Sequence, residues 1–137
     1  MSEICICQKK FSDVEIDEIQ GELNSPATIY YKRINVYITQ NYLISYGAVI
    51  EIIKIEDILM AYRFIRKRNF SVLYTCLKIW TKGQKCGLVV GKQAGNPSEA
   101  LEMHTEVLNA ILQKNPHATI GYNSAKISEI KSSKKAS

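Results

Sequence analysis

The chain has 137 residues, 46% of them hydrophobic and 23% charged. That is enough for one domain with a true hydrophobic core, and too apolar for disorder throughout. No apolar run approaches the roughly 18 uninterrupted residues of a membrane-spanning helix. Ile4, Cys5, Ile6 and Cys7 run straight into Gln8, Lys9 and Lys10, which is too short for a secretory leader, so the expected location is the cytoplasm.

The net charge of +5 is unevenly spread. Residues 1–28 carry −4, residues 29–95 carry +8, residues 96–125 carry −2 and the tail from Lys126 carries +3. Such a division fits an anionic partner for the basic middle, and equally fits acidic flanks folded back upon it. Four cysteines are present, Cys5, Cys7, Cys76 and Cys86. Without an export signal free thiols are expected, with Cys76 and Cys86 as small hydrophobes in strands.

In chain order, residues 12–24 read as a short helix. Ser12 is a good N-cap, Asp13 and Glu15 suit the positive end of the helix dipole, and Val14, Ile16, Ile19 and Leu23 form an apolar side. Gly21 weakens it and Asn24-Ser25-Pro26 ends it. From Thr28 to Thr39, β-branched and aromatic residues predict a strand. Tyr42 to Tyr46 follows as a second strand, and Val49 to Ile55 as a third. Ile58 to Lys67 fits strand or helix, and its strand neighbours favour strand. Val72 to Trp80 and Cys86 to Val90 then form a hairpin around Thr81-Lys82-Gly83-Gln84-Lys85. Gly91 to Gly95 reads as a loop.

The best-marked element is a helix from about Pro97 to Lys114. Asn96 is its N-cap and Glu99 stands at the capping-box position. Ala100, Leu101, Met103, Val107, Leu108, Ile111 and Leu112 make its apolar face. Asn115-Pro116 stops it, and residues 117–123 add a short extended piece. From Ser124 onward the composition predicts a flexible basic tail, residues 124–137, outside a single domain of residues 1–123 with its core at about 28–115.

The predicted class is α+β and mainly β: a curved antiparallel sheet or barrel of about six or seven strands, a short N-terminal helix and a C-terminal capping helix. Residues 36–45 (VYITQNYLIS), residues 53–58 (IKIEDI) followed by Tyr62, the hairpin 77–90 leading into the helix, and the lead-in from Glu22 to Pro26 resemble an uncharacterised bacterial family of pleckstrin-homology-like domains. The resemblance spans roughly residues 12–122. In that family the domain is often the cytoplasmic part of small membrane proteins, and this sequence carries no adjoining membrane segment. The resemblance implies a docking domain with no catalytic residues.

Arg63, Arg66, Lys67 and Arg68 form the densest basic cluster, and Lys82 and Lys85 in the hairpin turn are candidates to extend it. Together they suit a lipid phosphate, an acidic protein or a nucleic acid. They equally suit a solvated edge strand that charge protects from unwanted pairing. Eight tyrosines interleave with basic residues, but no RNA-recognition signature accompanies them, and no specific nucleic acid is expected. Cys5-x-Cys7, His104 and His117 do not assemble four zinc ligands at workable spacings, so neither a metal nor a cofactor is expected. Gly83, Gly87, Gly91 and Gly95 lack the Lys-Ser/Thr ending of a phosphate loop. The expectation is a non-enzymatic interaction module with an anionic protein or surface as partner. Alternatives are a homodimer formed through strand edges, and an enzyme or small-ligand carrier whose pocket gathers residues distant in sequence.

Overall fold

The computed structural model describes residues 12–47, 50–82, 87–95 and 98–136. Helix α1, Asp13–Leu23, starts as its sequence dictates. The Ser12 side chain accepts from the Glu15 backbone N–H, and the Glu15 carboxylate accepts in return from the Ser12 backbone N–H. Gly21 does not interrupt it. Of the expected apolar side, Ile16 and Ile19 are buried, Leu23 is half-buried and Val14 is exposed.

Strands β1 (Ile29–Tyr31), β2 (Val36–Ile38), β3 (Tyr42–Ser45) and β4 (Glu51–Lys54) form an antiparallel meander in that order. The single strand expected over residues 28–39 is therefore two. A 3-10 turn at Lys32–Ile34 divides it, closed by Asn35 in the left-handed conformation at φ 52°. Asparagine tolerates that region, and here the conformation reverses the chain. A second 3-10 turn, Ile55–Asp57, leads into the other sheet.

That sheet is built on a long hairpin of β5 (Ile58–Arg68) and β6 (Ser71–Thr81), with β7 (Leu88–Ala94) beside β6. Helix α2, Ser98–Lys114, follows, and β8 (Thr119–Ile120) returns parallel to β5. The class is α+β and mostly β, as expected, but the strands fall into two four-stranded sheets rather than one. Among the described residues there is no closed barrel. The loop expected over residues 91–95 is strand as far as Ala94, because a bulge lets β7 continue past Gly91. The expected cap of α2, Asn96-Pro97, lies outside the described residues.

Ala100, His104, Val107 and Ile111 recur at helical spacing, and all four are fully buried. Ala100, Val107 and Ile111 share a buried cluster with Ile34 of the 3-10 turn and with Val36, Leu43, Ile53, Ile58, Leu77, Ile79 and Val90 of both sheets, so α2 closes one continuous core. Leu101 and Leu112, expected on this face, are exposed. The end of α2 is tied down by buried Asn115. Its side-chain N–H donates to the carbonyls of Ile55 and Ile58, each at 2.9 Å, which joins the helix to the link between the sheets.

The expected flexible tail is instead helix α3, Ser124–Ala136. The outer face of the second sheet carries Met60, Tyr62 and Trp80, which need cover from water. Ile130 supplies it, 2% exposed in a cluster with those three, and Ile127 packs alongside. Two isoleucines are few for a helix, but here they meet a prepared aromatic surface. Elsewhere Thr75 lies fully buried in β6, and its hydroxyl has no hydrogen-bond partner among the described residues.

Two stability outcomes follow from this packing. Ile130→Ala should cost about 3 kcal/mol in urea unfolding, as for other buried isoleucine truncations. A loss under about 0.5 kcal/mol would mean that α3 does not cover the sheet in solution. Thr75→Val removes a buried unpaired hydroxyl and should stabilise by about 1 kcal/mol. Clear destabilisation would show that the hydroxyl has a partner.

Candidate functional site

The basic cluster sits at one end of the β5–β6 hairpin for reasons of register. Arg66 pairs with Tyr74, Lys67 with Val72 and Arg68 with Ser71, so Leu73 is an extra residue on β6. This leaves Asn69-Phe70 as a two-residue turn. Asn69 takes the left-handed conformation, φ 56°, that such a turn requires. Phe70 then points wholly into solvent, with a relative exposure of 106%.

The third strand stops short of this turn. Ala94 lies opposite Tyr74, and the Gly95 N–H donates to the Leu73 carbonyl at 3.0 Å. Beyond Leu73 only two strands remain among the described residues. Two rungs and a turn, at about 3.3 Å per residue, carry the tip roughly 10 Å past the sheet. Arg66, Lys67 and Arg68 are all exposed there. Behind them Lys78 lies over the Phe64 ring and Lys92 over the Tyr74 ring, each 4.3 Å from the centroid. From Ile58 to Gly95 the chain holds eight basic residues and no acidic one. No opposite charge along this stretch neutralises the field of the tip.

The structure does not gather all the candidates. Arg63, one of the four clustered in sequence, is half-buried and points the other way. Its Nε donates to His104 Nδ1 at 3.3 Å. A guanidinium can only donate, so Nδ1 accepts and the ring proton sits on Nε2. Nε2 donates in turn to the Gly91 carbonyl at 2.7 Å, and the Gly91 N–H donates to Ser45 Oγ at 3.2 Å. Lys82 lies at the opposite end of the hairpin, beside Glu56 and Asp57 in a hollow of about 450 Å³. It lies eight residues along the strand from the Arg66 rung and eleven from the Arg68 rung, about 26 and 36 Å. It does not extend the patch. Lys85 and the Cys5-x-Cys7 pair lie outside the described residues.

Phe70, Lys78 and Lys92 belong to this surface and do not stand out in the sequence. The available signal is an Asn-Phe pair following a cationic run, in a stretch without acids. A second hollow, about 390 Å³, lies beside α1 and is lined by Glu15, Glu18, Asn41, Tyr42, Lys54 and Lys114 among others. Two of its charges pair with each other, Lys54 Nζ lying 2.8 Å from Glu15 Oε2. No helix among the described residues is long and apolar enough to cross a membrane.

His104 couples this architecture to pH. Burial pushes its pKa below the ordinary 6.5, the Arg63 charge adds to that, and the hydrogen bond to Gly91 only partly opposes it. Unfolding at mildly acidic pH therefore takes up a proton. The stabilisation is complete above 6.5 and is lost as pH falls from there towards the lower folded value. The depressed carboxyls of Glu15 and Glu22 act only below their ordinary 4.5. Between about pH 7.5 and 5, the urea midpoint should drop for the parent protein and stay nearly level for His104→Gln. A level parent profile would contradict a neutral buried His104.

Comparison with protein-family models, with curated proteins and with solved structures finds no match for this chain.

Proposed function

We propose that this chain is a non-enzymatic interaction module of pleckstrin-homology-like plan, which contacts an anionic partner through the tip of the β5–β6 hairpin. The observation that carries this reading is the acid-free stretch from Ile58 to Gly95, whose exposed cations Arg66, Lys67 and Arg68 stand at a projecting tip. A four-stranded meander, a second sheet and a helix closing the core support the proposed plan. Contact through exposed cations at a rim chiefly raises association rate and selectivity, and screens with salt.

Reversing both arginines, Arg66→Glu with Arg68→Glu, tests it. The parent should be retained on immobilised heparin and elute with rising salt. The double variant should pass through or elute at much lower salt, with unfolding free energy changed by about 0.5 kcal/mol or less. Equal retention of both proteins would remove the tip from the binding surface.

A second reading has its own observation. β1 is the outer strand of the first sheet, and Ile29 and Tyr30 on it are exposed. An edge of that kind can pair with a second copy. Light scattering that shows a monomer at high concentration would eliminate it.

A further inference from the structure

We infer that the anionic partner is a lipid bilayer surface, and that Phe70 enters the bilayer interface while Arg66, Lys67 and Arg68 engage the phosphate layer. This inference rests on the docking reading above. It comes from the depth order of the tip. The apex is a single apolar ring, fully exposed on a two-residue turn. The next rung carries Arg68, the one after it Lys67, and the third Arg66 with Tyr74. Leu73, the bulged residue, is also exposed beside them. An apolar point backed by a collar of cations matches the layering of an anionic interface, hydrocarbon boundary below and phosphates above.

The same surface suits nucleic acid poorly. Single strands are held by aromatic faces on which successive bases stack. Here Lys78 and Lys92 already cover the rings of Phe64 and Tyr74. Of the three rings at this end among the described residues only Phe70 remains open, and one ring at a convex apex does not track a strand. A fully exposed phenyl ring contributes little to folding, and at the apex of a cationic tip it stands where an interface would meet it first.

The experiment uses the full chain with vesicles of phosphatidylcholine alone and of phosphatidylcholine with about 30% phosphatidylserine. The parent should pellet with the anionic vesicles and not with the neutral ones. Phe70→Ser should weaken that binding about tenfold and leave heparin retention unchanged. Reversal of Arg66 and Arg68 should weaken both, by about fivefold or more per cation. The Phe70→Trp variant should shift its emission to the blue with anionic vesicles and not with heparin. Trp80, 4% exposed, supplies a constant background. Retention on heparin with no vesicle binding would overturn the bilayer inference and leave the docking reading standing. Loss of both would overturn both. Vesicle binding unaffected by Phe70→Ser, or no blue shift in the Phe70→Trp variant, would remove the insertion. Tighter binding of a single-stranded oligonucleotide than of vesicles, lost in Phe70→Ser, would assign the tip to nucleic acid and overturn the inference.

Discussion

The hydrogen bond from His104 to the Gly91 carbonyl is the constraint on which the rest of the structure depends. Gly91 is a bulge residue at φ +62°, and a Cβ there would stand 3.4 Å from Ile34 and Val36 and 3.5 Å from His104. Those are ordinary contacts, so it is the left-handed backbone that calls for glycine. Through it, one buried ring joins α2 to β7, the Gly91 N–H joins β7 to Ser45 on β3, and Arg63 joins the ring to β5. Both sheets and the closing helix thus meet at one point. The polar groups concerned are satisfied by one another, as burial demands.

The same junction explains why the hairpin can project. Arg63 on β5 and Gly91 on β7 are pinned at the base of the ribbon, only a few residues from its free end. Past the end of β7 at Ala94 it is short, two-stranded among the described residues, and rich in exposed charge. A patch of like charges costs stability by self-repulsion. The lysines over Phe64 and Tyr74 offset part of that cost, at about 0.5–1 kcal/mol each for exposed pairs. Charge at this end also guards the ribbon against pairing with other strands. Protection and docking are compatible uses of the same residues, and the apical phenyl ring is the feature that protection does not explain.

Local chemistry made much of the fold legible in the sequence. Ser12 and Glu15 announce α1, and period-two alternation in β6 announces its hairpin with β7, whereas Ile58 to Lys67 fits strand or helix and only its strand neighbours favour strand. Long-range packing hid the rest. Ile127 and Ile130 look like isolated apolar residues in a lysine–serine tail until Met60, Tyr62 and Trp80 are brought beneath them. His104 interrupts the apolar face of α2 and reads as a border residue, because its partners come from two distant strands. Arg63 clusters with Arg66 and Arg68 along the chain, yet alternation places it on the other side of β5. Lys82 belongs to the turn at the far end of β6, so no strand geometry brings it to Arg68. Phe70 carries no periodic signal as a lone aromatic in a turn, and only its place after Asn69 and a cationic run marks it.

Amide hydrogen exchange of the full chain, with and without saturating heparin, tests the central claim most directly. It reads the contact face along the backbone without altering a residue. The account predicts slowed exchange over residues 66–73, with the hairpin end at Thr81 and Lys82 unchanged. Protection at Lys82, or protection spread evenly over the basic residues, would contradict it.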